Sequence, residues 1–179
     1  MDDTPVVLAE GMHLRFMRKR TWEYVDRLRV TDVVGIVAVT DDDKLILVEQ
    51  YRPPVDKNVI ELPAGLVGDE PGQTGEELLA AACRELQEET GYFAGELSIL
   101  ASGPISAGLS SEVITLILAR KLRKLGPGGG VDTEAIQVHE VLLSEVDARL
   151  MKWVTEDKLV DLKVYAAQHF ALTRDHGDE

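Results

Sequence analysis

The amino-acid sequence predicts an α+β fold in which a mixed β-sheet is flanked by helices and preceded by an N-terminal β extension. Two observations lead to this prediction. Strand-like segments precede and follow one central helical segment, and two further helical segments close the chain. This order is typical of a mixed sheet with helices on its faces. The 179 residues suit one domain, in which we expect residues 1–30 to extend the unit formed by residues 31–179.

The first half of the chain is rich in strand patterns. Residues 12–31 alternate loosely between apolar and charged side chains, as half-exposed strands or a hairpin do. Residues 33–39 are a nearly continuous β-branched run, which indicates a buried strand. Residues 44–52 are predicted to form a second strand. It ends there because the proline pair that follows cannot donate hydrogen bonds to a sheet. Residues 60–65 lead into a loop rich in glycine, aspartate and proline that runs to Gly75.

A central helix follows this loop. Thr74 with Glu77 three residues later matches a capping box, which marks a helix start. Gly91 is well placed to end the helix, since glycine adopts the left-handed conformation of a C-terminal cap. The sequence therefore predicts a helix that begins at Thr74 and ends at Gly91.

The second half returns to strands and then closes with helices. Strands are predicted at 97–102, 113–120 and 136–143. The glycine-rich stretch 126–130 predicts a mobile surface loop. Ser144 with Asp147 indicates the start of a short helix, and a second helix is predicted to begin at Thr155. The tail from Thr173 is polar and expected to fray.

Composition narrows the classes of function. The formal net charge of -13 argues against a nucleic-acid binder, because phosphate backbones are held by lysine and arginine. A small anionic substrate stays compatible, since a divalent cation can lie between two negative partners. Cys83 is the only cysteine, which excludes an intrachain disulfide and favours a reducing, cytoplasmic location. No apolar run approaches the length of a membrane span, so we expect no membrane partner.

Three glutamates lie on one side of the predicted helix. At about 100° per residue, Glu85, Glu88 and Glu89 fall within an arc of roughly 100° at the border of the apolar face. Like charges at this spacing repel, and a cation between them removes the repulsion. Oxygen-only ligands suit Mg²⁺, with Mn²⁺ as the alternative. Arg84 lies one turn before Glu88, where it can orient that carboxylate. A solvated acidic face is the other interpretation of such glutamates.

The surroundings of these glutamates favour the metal site. Residues 84–92, Arg-Glu-Leu-Gln-Glu-Glu-Thr-Gly-Tyr, resemble the second half of the Nudix box, R-E-U-x-E-E-x-G-U, where U is apolar. Glu76 also stands at the box's spacing before Arg84, but the glycine that opens the box is replaced by Glu70. Gly65 matches that glycine better if the loop 67–74 carries an insertion. The resemblance implies a Nudix hydrolase with an α/β/α sandwich fold.

Segments outside the box resemble one branch of the Nudix family, the ADP-ribose pyrophosphatases. They are residues 20–27, 50–54 and 61–66. This resemblance implies Mg²⁺-dependent hydrolysis of the diphosphate bond of ADP-ribose or a related nucleoside diphosphate sugar, which yields a nucleoside monophosphate and a sugar phosphate. It also implies a homodimer formed through the N-terminal strands.

The resemblance assigns roles to individual residues. The metal ligands would be the main-chain carbonyl of Ala64 and the carboxylates of Glu85, Glu88 and Glu89. Arg52 would contact the diphosphate, although it could equally cap a strand end. Trp22 would stack on the nucleobase with Glu23 and Arg27 nearby, although packing is the more common role of such a tryptophan.

The catalytic base of this branch is usually a glutamate on the loop before the last strand. Glu134 occupies that place, and Glu140 and Glu112 are the alternatives. The loop 106–112 resembles the branch's Ser-Pro-Gly-x-Ser loop beside the terminal sugar, with Ala107 in place of proline.

Two alternatives to this function stay open. The chain could be a Nudix hydrolase of a dinucleoside polyphosphate or an oxidised nucleotide, which the box does not distinguish. It could also be a non-catalytic sensor that binds a nucleotide sugar, and such a sensor would be expected to lose metal carboxylates. Because all three glutamates are present, catalysis is favoured.

Overall fold

The computed structural model describes residues 3–28, 30, 32–68, 77–130 and 135–173. The N-terminal part of the chain forms a small antiparallel sheet with the strand order β1-β2-β3. Its strands are β1 (Val6–Glu10), β2 (Leu14–Lys19) and β3 (Trp22–Arg27). It is attached to the rest of the protein through backbone hydrogen bonds from Val25 to Leu109 and from Ser111 to Val25. The predicted N-terminal strands are thus present, with β1 as an additional strand that the alternation did not indicate.

The main sheet has eight strands in the order β11-β6-β5-β4-β9-β8, with β10 paired to β5 and β7 paired to β4. The strands are β4 (Asp32–Val39), β5 (Lys44–Arg52), β6 (Lys57–Glu61), β7 (Ala64–Val67), β8 (Tyr92–Pro104), β9 (Val113–Lys124), β10 (Gln137–Leu142) and β11 (Leu159–Val160). The β4–β9 and β6–β11 pairs are parallel, and the other pairs are antiparallel. The predicted mixed sheet is therefore confirmed.

Helices cover both faces of this sheet. They are α1 (Leu78–Thr90), α2 (Val146–Thr155) and α3 (Leu162–Thr173). Successive side chains of a strand point to opposite faces. On β4, Val34 and Ile36 pack with α1, whereas Val37 and Val39 pack with α2 and α3. The protein is therefore an α/β/α sandwich. In the described part of the chain, none of the helices has the length and apolar character of a membrane span.

The structure corrects the predicted start of α1 and confirms its end. The helix begins at Leu78, and Glu77 before it is extended and makes no side-chain cap. The predicted capping box is therefore wrong, because it would place Glu77 inside the first turn. Thr74 lies outside the described residues. Gly91 ends the helix in the left-handed conformation, with φ of 75°, and donates its N–H to the carbonyl of Gln87.

The last third of the chain differs most from the sequence prediction. Thr155 ends α2 instead of starting a helix, and the next residues form the two-residue strand β11. The last helix starts later, where the Asp161 carboxylate accepts a hydrogen bond from the Lys163 N–H at 2.8 Å. Such an aspartate cap fixes a helix start. Residues 60–65, predicted to enter a loop, instead contribute to β6 and β7.

The glycine-rich stretch 126–130 is packed rather than loose. Gly129 donates its N–H to the carbonyl of Glu89 at 2.8 Å, and Gly130 donates to that of Glu88 at 3.1 Å. These carbonyls belong to the last turn of α1, where carbonyl groups have no hydrogen-bond donor within the helix. The stretch therefore caps the helix that carries the glutamates, which differs from the mobile surface loop that its composition predicted.

Candidate active site

A cleft of ≈ 400 Å³ lies where β7, the end of β5, the end of β6 and α1 meet. Its charged lining consists of Arg27, Arg52, Lys163, Glu61, Glu85, Glu89 and Glu112. They come from β3, β5, β6, α1, the segment before β9 and the first turn of α3, which the fold brings together. Cations and carboxylates thus share one wall, as a site for an anionic ligand and a metal requires.

The backbone of β7 lies directly against the carboxylates of α1. The Glu89 carboxylate is buried and accepts the N–H of Ala64 at 3.1 Å. Gly65 follows, and a Cβ built on it would overlap the carboxyl group of Glu85. Glycine is therefore the residue that lets the strand approach the helix so closely.

Arg84 forms hydrogen bonds with two of the α1 carboxylates. Its Nη1 donates to Glu85 at 2.9 Å and to Glu88 at 3.2 Å. Its Nη2 donates to the carbonyl of Leu66 at 3.3 Å, which ties the helix to β7. The bond to Glu88 is the contact that the spacing of Arg84 predicted, and the guanidinium also offsets the repulsion between the two glutamates.

The donor set at this place fits a hard divalent cation. The residues offer carboxylate oxygens together with the backbone of Ala64, and magnesium and manganese prefer oxygen ligands. Gly65 leaves the space that the Glu85 carboxylate fills, where any side chain would displace it. Within the described residues, no three acidic, histidine or cysteine side chains converge as a metal cluster. Arg84 and the Ala64 N–H hold the carboxylates instead.

Two arginine–glutamate pairs complete the cleft. Arg52 at the end of β5 donates its Nε to Glu61 of β6 at 2.7 Å. Arg27 at the end of β3 donates its Nε to Glu112 at 2.8 Å. The second pair joins the small N-terminal sheet to the cleft, so this sheet contributes directly to the site.

Comparison with known proteins identifies the family. A family model described as the NUDIX domain matches residues 29–174, which is more than half of the chain. The chain belongs to the Nudix family. The resemblance drawn from the α1 motif is thus confirmed, and so is the Nudix fold that it implied.

Several known proteins are similar to this chain over most of its length. A methanol dehydrogenase activator of Bacillus methanolicus is 34% identical over 147 residues, which cover 81% of this chain and 75% of that protein. An ADP-ribose pyrophosphatase of Bacillus subtilis is 36% identical over 141 residues, covering 78% of this chain and 71% of that protein. A solved structure, an ADP compounds hydrolase, matches with a TM-score of 0.60 at 20% identity and covers 81% of this chain and 80% of its own. The last match shows a shared fold.

The Nudix cleft gathers only part of the predicted site. Ala64, Glu85, Glu89, Arg52 and Arg27 line it. Its described lining does not include four other predicted site residues, Arg84, Glu88, Trp22 and Glu23. Glu88 is held by Arg84 beside the cleft.

Trp22 and Glu23 lie on β3 and do not line the cleft. Both are exposed, and the Trp22 indole donates its Nε1–H to the carbonyl of Gly108 at 3.2 Å. Trp22 lines a separate hollow of ≈ 570 Å³ beside the loop 106–112. Trp22 therefore lies beside the predicted sugar loop, and it does not line the cleft that contains Glu85 and Glu89.

The candidates for the catalytic base are placed unequally. Glu134 lies outside the described residues. Glu112 lines the cleft but is paired with Arg27. Glu140 accepts hydrogen bonds from Lys124 and Tyr92, both at 2.7 Å, and the Lys124 ammonium holds the pKa of Glu140 below its ordinary value. Both alternatives are thus engaged by side chains of the protein itself.

Sequence reasoning missed Glu61 and Lys163 as cleft residues. Glu61 stood in a segment that was quoted for its resemblance, but its pairing with Arg52 depends on the β5–β6 register. Lys163 lies in the first turn of α3 beside Asp161, with which it forms an ion pair. No motif marks it, because its position in the cleft follows from how the last helix packs.

Proposed function

We propose that the protein hydrolyses the diphosphate bond of ADP-ribose or a related nucleoside diphosphate sugar, with Mg²⁺ as the cofactor and Mn²⁺ as a possible substitute. The chain is a hydrolase of phosphoric anhydrides by its family. One observation carries the substrate class: the cleft combines the carboxylates of α1 with Arg52 in one pocket. The name of the Bacillus subtilis relative, an ADP-ribose pyrophosphatase, supports the same class.

The metal would be held by Glu85, Glu88, Glu89 and the carbonyl of Ala64. When bound there, it would neutralise the charge that develops on the diphosphate oxygens as the bond breaks. Arg84, which donates to Glu85 and Glu88, would orient these two ligands.

The remaining steps belong to the chain's own side chains. Arg52 would bind the diphosphate, for which a planar guanidinium is suited. Glu134 would take a proton from the water that attacks phosphorus, as a general base. The products are a nucleoside monophosphate and a sugar phosphate.

The first experiment tests substrate and base together. The purified protein with Mg²⁺ should release monophosphate from at least one of ADP-ribose, ADP-glucose, GDP-mannose and UDP-glucose, and chelation should stop the release. Glu134→Gln should lower kcat about a hundredfold with little change in KM, since general base catalysis contributes about that much. Glu112→Gln and Glu140→Gln serve as matched variants, because they are the other carboxylates considered for the role.

Other outcomes would redirect the proposal. Cleavage of diadenosine polyphosphates alone would replace the substrate class and keep the family. Tight binding of a nucleotide sugar without turnover would favour a sensor, a possibility that the name of the Bacillus methanolicus relative, an activator, also raises. A full loss of kcat in Glu112→Gln but not in Glu134→Gln would move the base to Glu112.

We also propose that residues 1–30 form a dimerisation extension of the hydrolase domain 31–179, in a cytoplasmic homodimer. The small sheet exposes many of its large apolar side chains. They are Val6, Val7, Leu8, Leu14, Phe16 and Trp22. A three-stranded sheet cannot bury such a surface alone, and contiguous exposed apolar patches mark interfaces. A partner copy would cover them and bring a second Trp22 toward the site.

Replacing Phe16 by glutamate should convert the dimer to a monomer. Phe16 is 41% exposed on β2, and a charge there would be desolvated on association. Light scattering coupled to size-exclusion chromatography measures the mass. Val154→Glu on α2, also an exposed apolar side chain, should leave the mass unchanged. A wild-type chain that elutes as a monomer would contradict the proposed dimer.

A further inference from the structure

The two arginine–glutamate pairs of the cleft share one geometry. In each pair the arginine Nε donates to a glutamate Oε2, at 2.7 Å for Arg52–Glu61 and 2.8 Å for Arg27–Glu112. In each pair the glutamate is the more buried partner, with 13% against 44% of the side chain exposed for Glu61 and Arg52. The buried carboxylate thus anchors each pair, and the more exposed guanidinium extends from it into the cleft.

The bond at Nε leaves the outer edge of Arg52 available. A guanidinium carries five N–H groups, and four of them are on Nη1 and Nη2. Among the described residues, the Arg52 side chain makes no hydrogen bond besides the one to Glu61. Two parallel N–H groups held in one plane match two oxygens of a phosphate.

The presence of the Glu61 carboxylate in a cleft proposed to bind an anionic substrate requires an explanation. Its charge repels an anionic substrate, and burial makes an unpaired carboxylate costly. Simple electrostatics therefore predicts that removing the charge improves the binding of a diphosphate. The opposite result requires that Glu61 contributes something that outweighs the repulsion.

We propose that Glu61 is a positioning residue: its carboxylate fixes the plane of the Arg52 guanidinium so that the Nη groups meet the diphosphate oxygens. The inference rests on the proposed function, which places the diphosphate beside Arg52. Glu61 lies at the end of β6, which pairs with β5 up to Arg52↔Lys57 and with β11. The pair is therefore carried by adjoining strands of the main sheet, and both of its residues line the cleft with Gly65 and Glu85.

A double-mutant cycle tests this role. Glu61→Gln should raise KM for the preferred nucleoside diphosphate sugar about tenfold, with kcat changed less than about twofold, since a charged hydrogen bond contributes to ground and transition state alike. In an Arg52→Gln background the same change should leave KM unaltered. The dissociation constant of α,β-methylene ADP-ribose with Mg²⁺, measured by calorimetry, should follow KM in all variants. Glu61→Asp, which keeps the charge, should recover part of the affinity.

Controls separate the role from other effects. Glu96→Gln breaks an exposed ion pair with Lys121 on β8 and β9 and should change no constant. Thermal unfolding should show that Glu61→Gln stays folded, because glutamine has the same shape.

Several results would overturn the inference. They are an unchanged or lower KM in Glu61→Gln, an equal effect of that substitution with and without Arg52, a raised Mg²⁺ requirement, or a large loss of kcat. The third would make Glu61 a metal ligand and the fourth a catalytic group. A wild-type chain that cleaves no nucleotide sugar would overturn the proposed function, and calorimetry with the analogue would still decide the role of Glu61. Failure of the wild type to bind the analogue would overturn the inference as well.

Discussion

Replacing Gly65 by alanine should lower kcat/KM by about three orders of magnitude while the protein stays folded, because several kcal/mol of metal-based transition-state stabilisation would be lost. An alanine Cβ would occupy the position of the Glu85 carboxyl group. The Gly65 backbone is not left-handed, so alanine fits its conformation. The atoms that must give way are the flexible end of Glu85, and their displacement removes one of the proposed metal ligands.

Two variants isolate this effect. Gly103→Ala places a methyl group on β8 where no heavy atom lies within 4 Å, and it should retain activity and stability. Glu88→Gln removes a proposed ligand charge without a steric clash and should lose activity in the same way. The measurements are initial rates over a Mg²⁺ titration, with thermal unfolding of each variant. Undiminished activity of Gly65→Ala would show that Glu85 does not need its present position for catalysis.

The part of the site that the sequence predicted is the part formed by local geometry. Helical spacing alone places Glu85, Glu88 and Glu89 on one side of α1 and Arg84 one turn away. The structure shows the predicted contact of Arg84 with Glu88, and it adds a hydrogen bond to the neighbouring Glu85 that the spacing did not predict. Contacts between residues three or four apart depend only on the helix, and so they are readable from a single motif.

Cross-strand contacts were not predictable in this way. The Arg27–Glu112 pair joins residues 85 positions apart. The Arg52–Glu61 pair joins the two ends of the β5–β6 ladder, in which Arg52 is opposite Lys57 and Glu61 is opposite Val48. A shift of register by one residue would turn Glu61 to the opposite face of the sheet. The sequence contains these residues, but only the folded sheet brings them together.

The errors in secondary structure have the same origin. Residues 33–39 were assigned correctly because a β-branched run has one interpretation. In contrast, β7 contains Ala64 and Gly65, which are poor strand formers, and β4 supplies the hydrogen bonds that make it a strand. The two residues of β11 form a strand only because they pair with β6. Tertiary pairing, rather than local preference, decided these segments.

Replacing Glu49 by alanine should lower the free energy of unfolding by about 3–5 kcal/mol, as breaking a buried ion pair does. Glu49 on β5 is only 4% exposed. It accepts hydrogen bonds from Lys158 at 2.8 Å and from Asn58 at 2.9 Å, and its carboxylate lies 2.9 Å from His139 Nε2. These partners belong to the α2–β11 turn, β6 and β10. The single carboxylate therefore ties three elements of the sheet to the C-terminal helices.

The same carboxylate should make stability depend on acid pH. Burial alone would raise the pKa of Glu49, but the hydrogen bonds from Lys158, His139 and Asn58 outweigh it, and the pKa is lowered. A carboxyl with a lowered pKa in the folded state stabilises the protein fully above its unfolded value of about 4.3, and this contribution is lost as the pH falls through the folded pKa. Glu49→Gln keeps the shape and cannot titrate, so its stability should fall less than that of the wild type on acidification.

Urea unfolding at neutral pH and at successive acid values measures both effects. Glu96→Ala is the matched control, because its carboxylate pairs with Lys121 at the surface and exposed pairs contribute less than about 1 kcal/mol. Equal losses in Glu49→Ala and Glu96→Ala would contradict the role of Glu49. Because β11 pairs with β6 next to Glu61, a confirmed loss would also mean that the far face of the sheet helps to hold the strand on which the Arg52 pair depends.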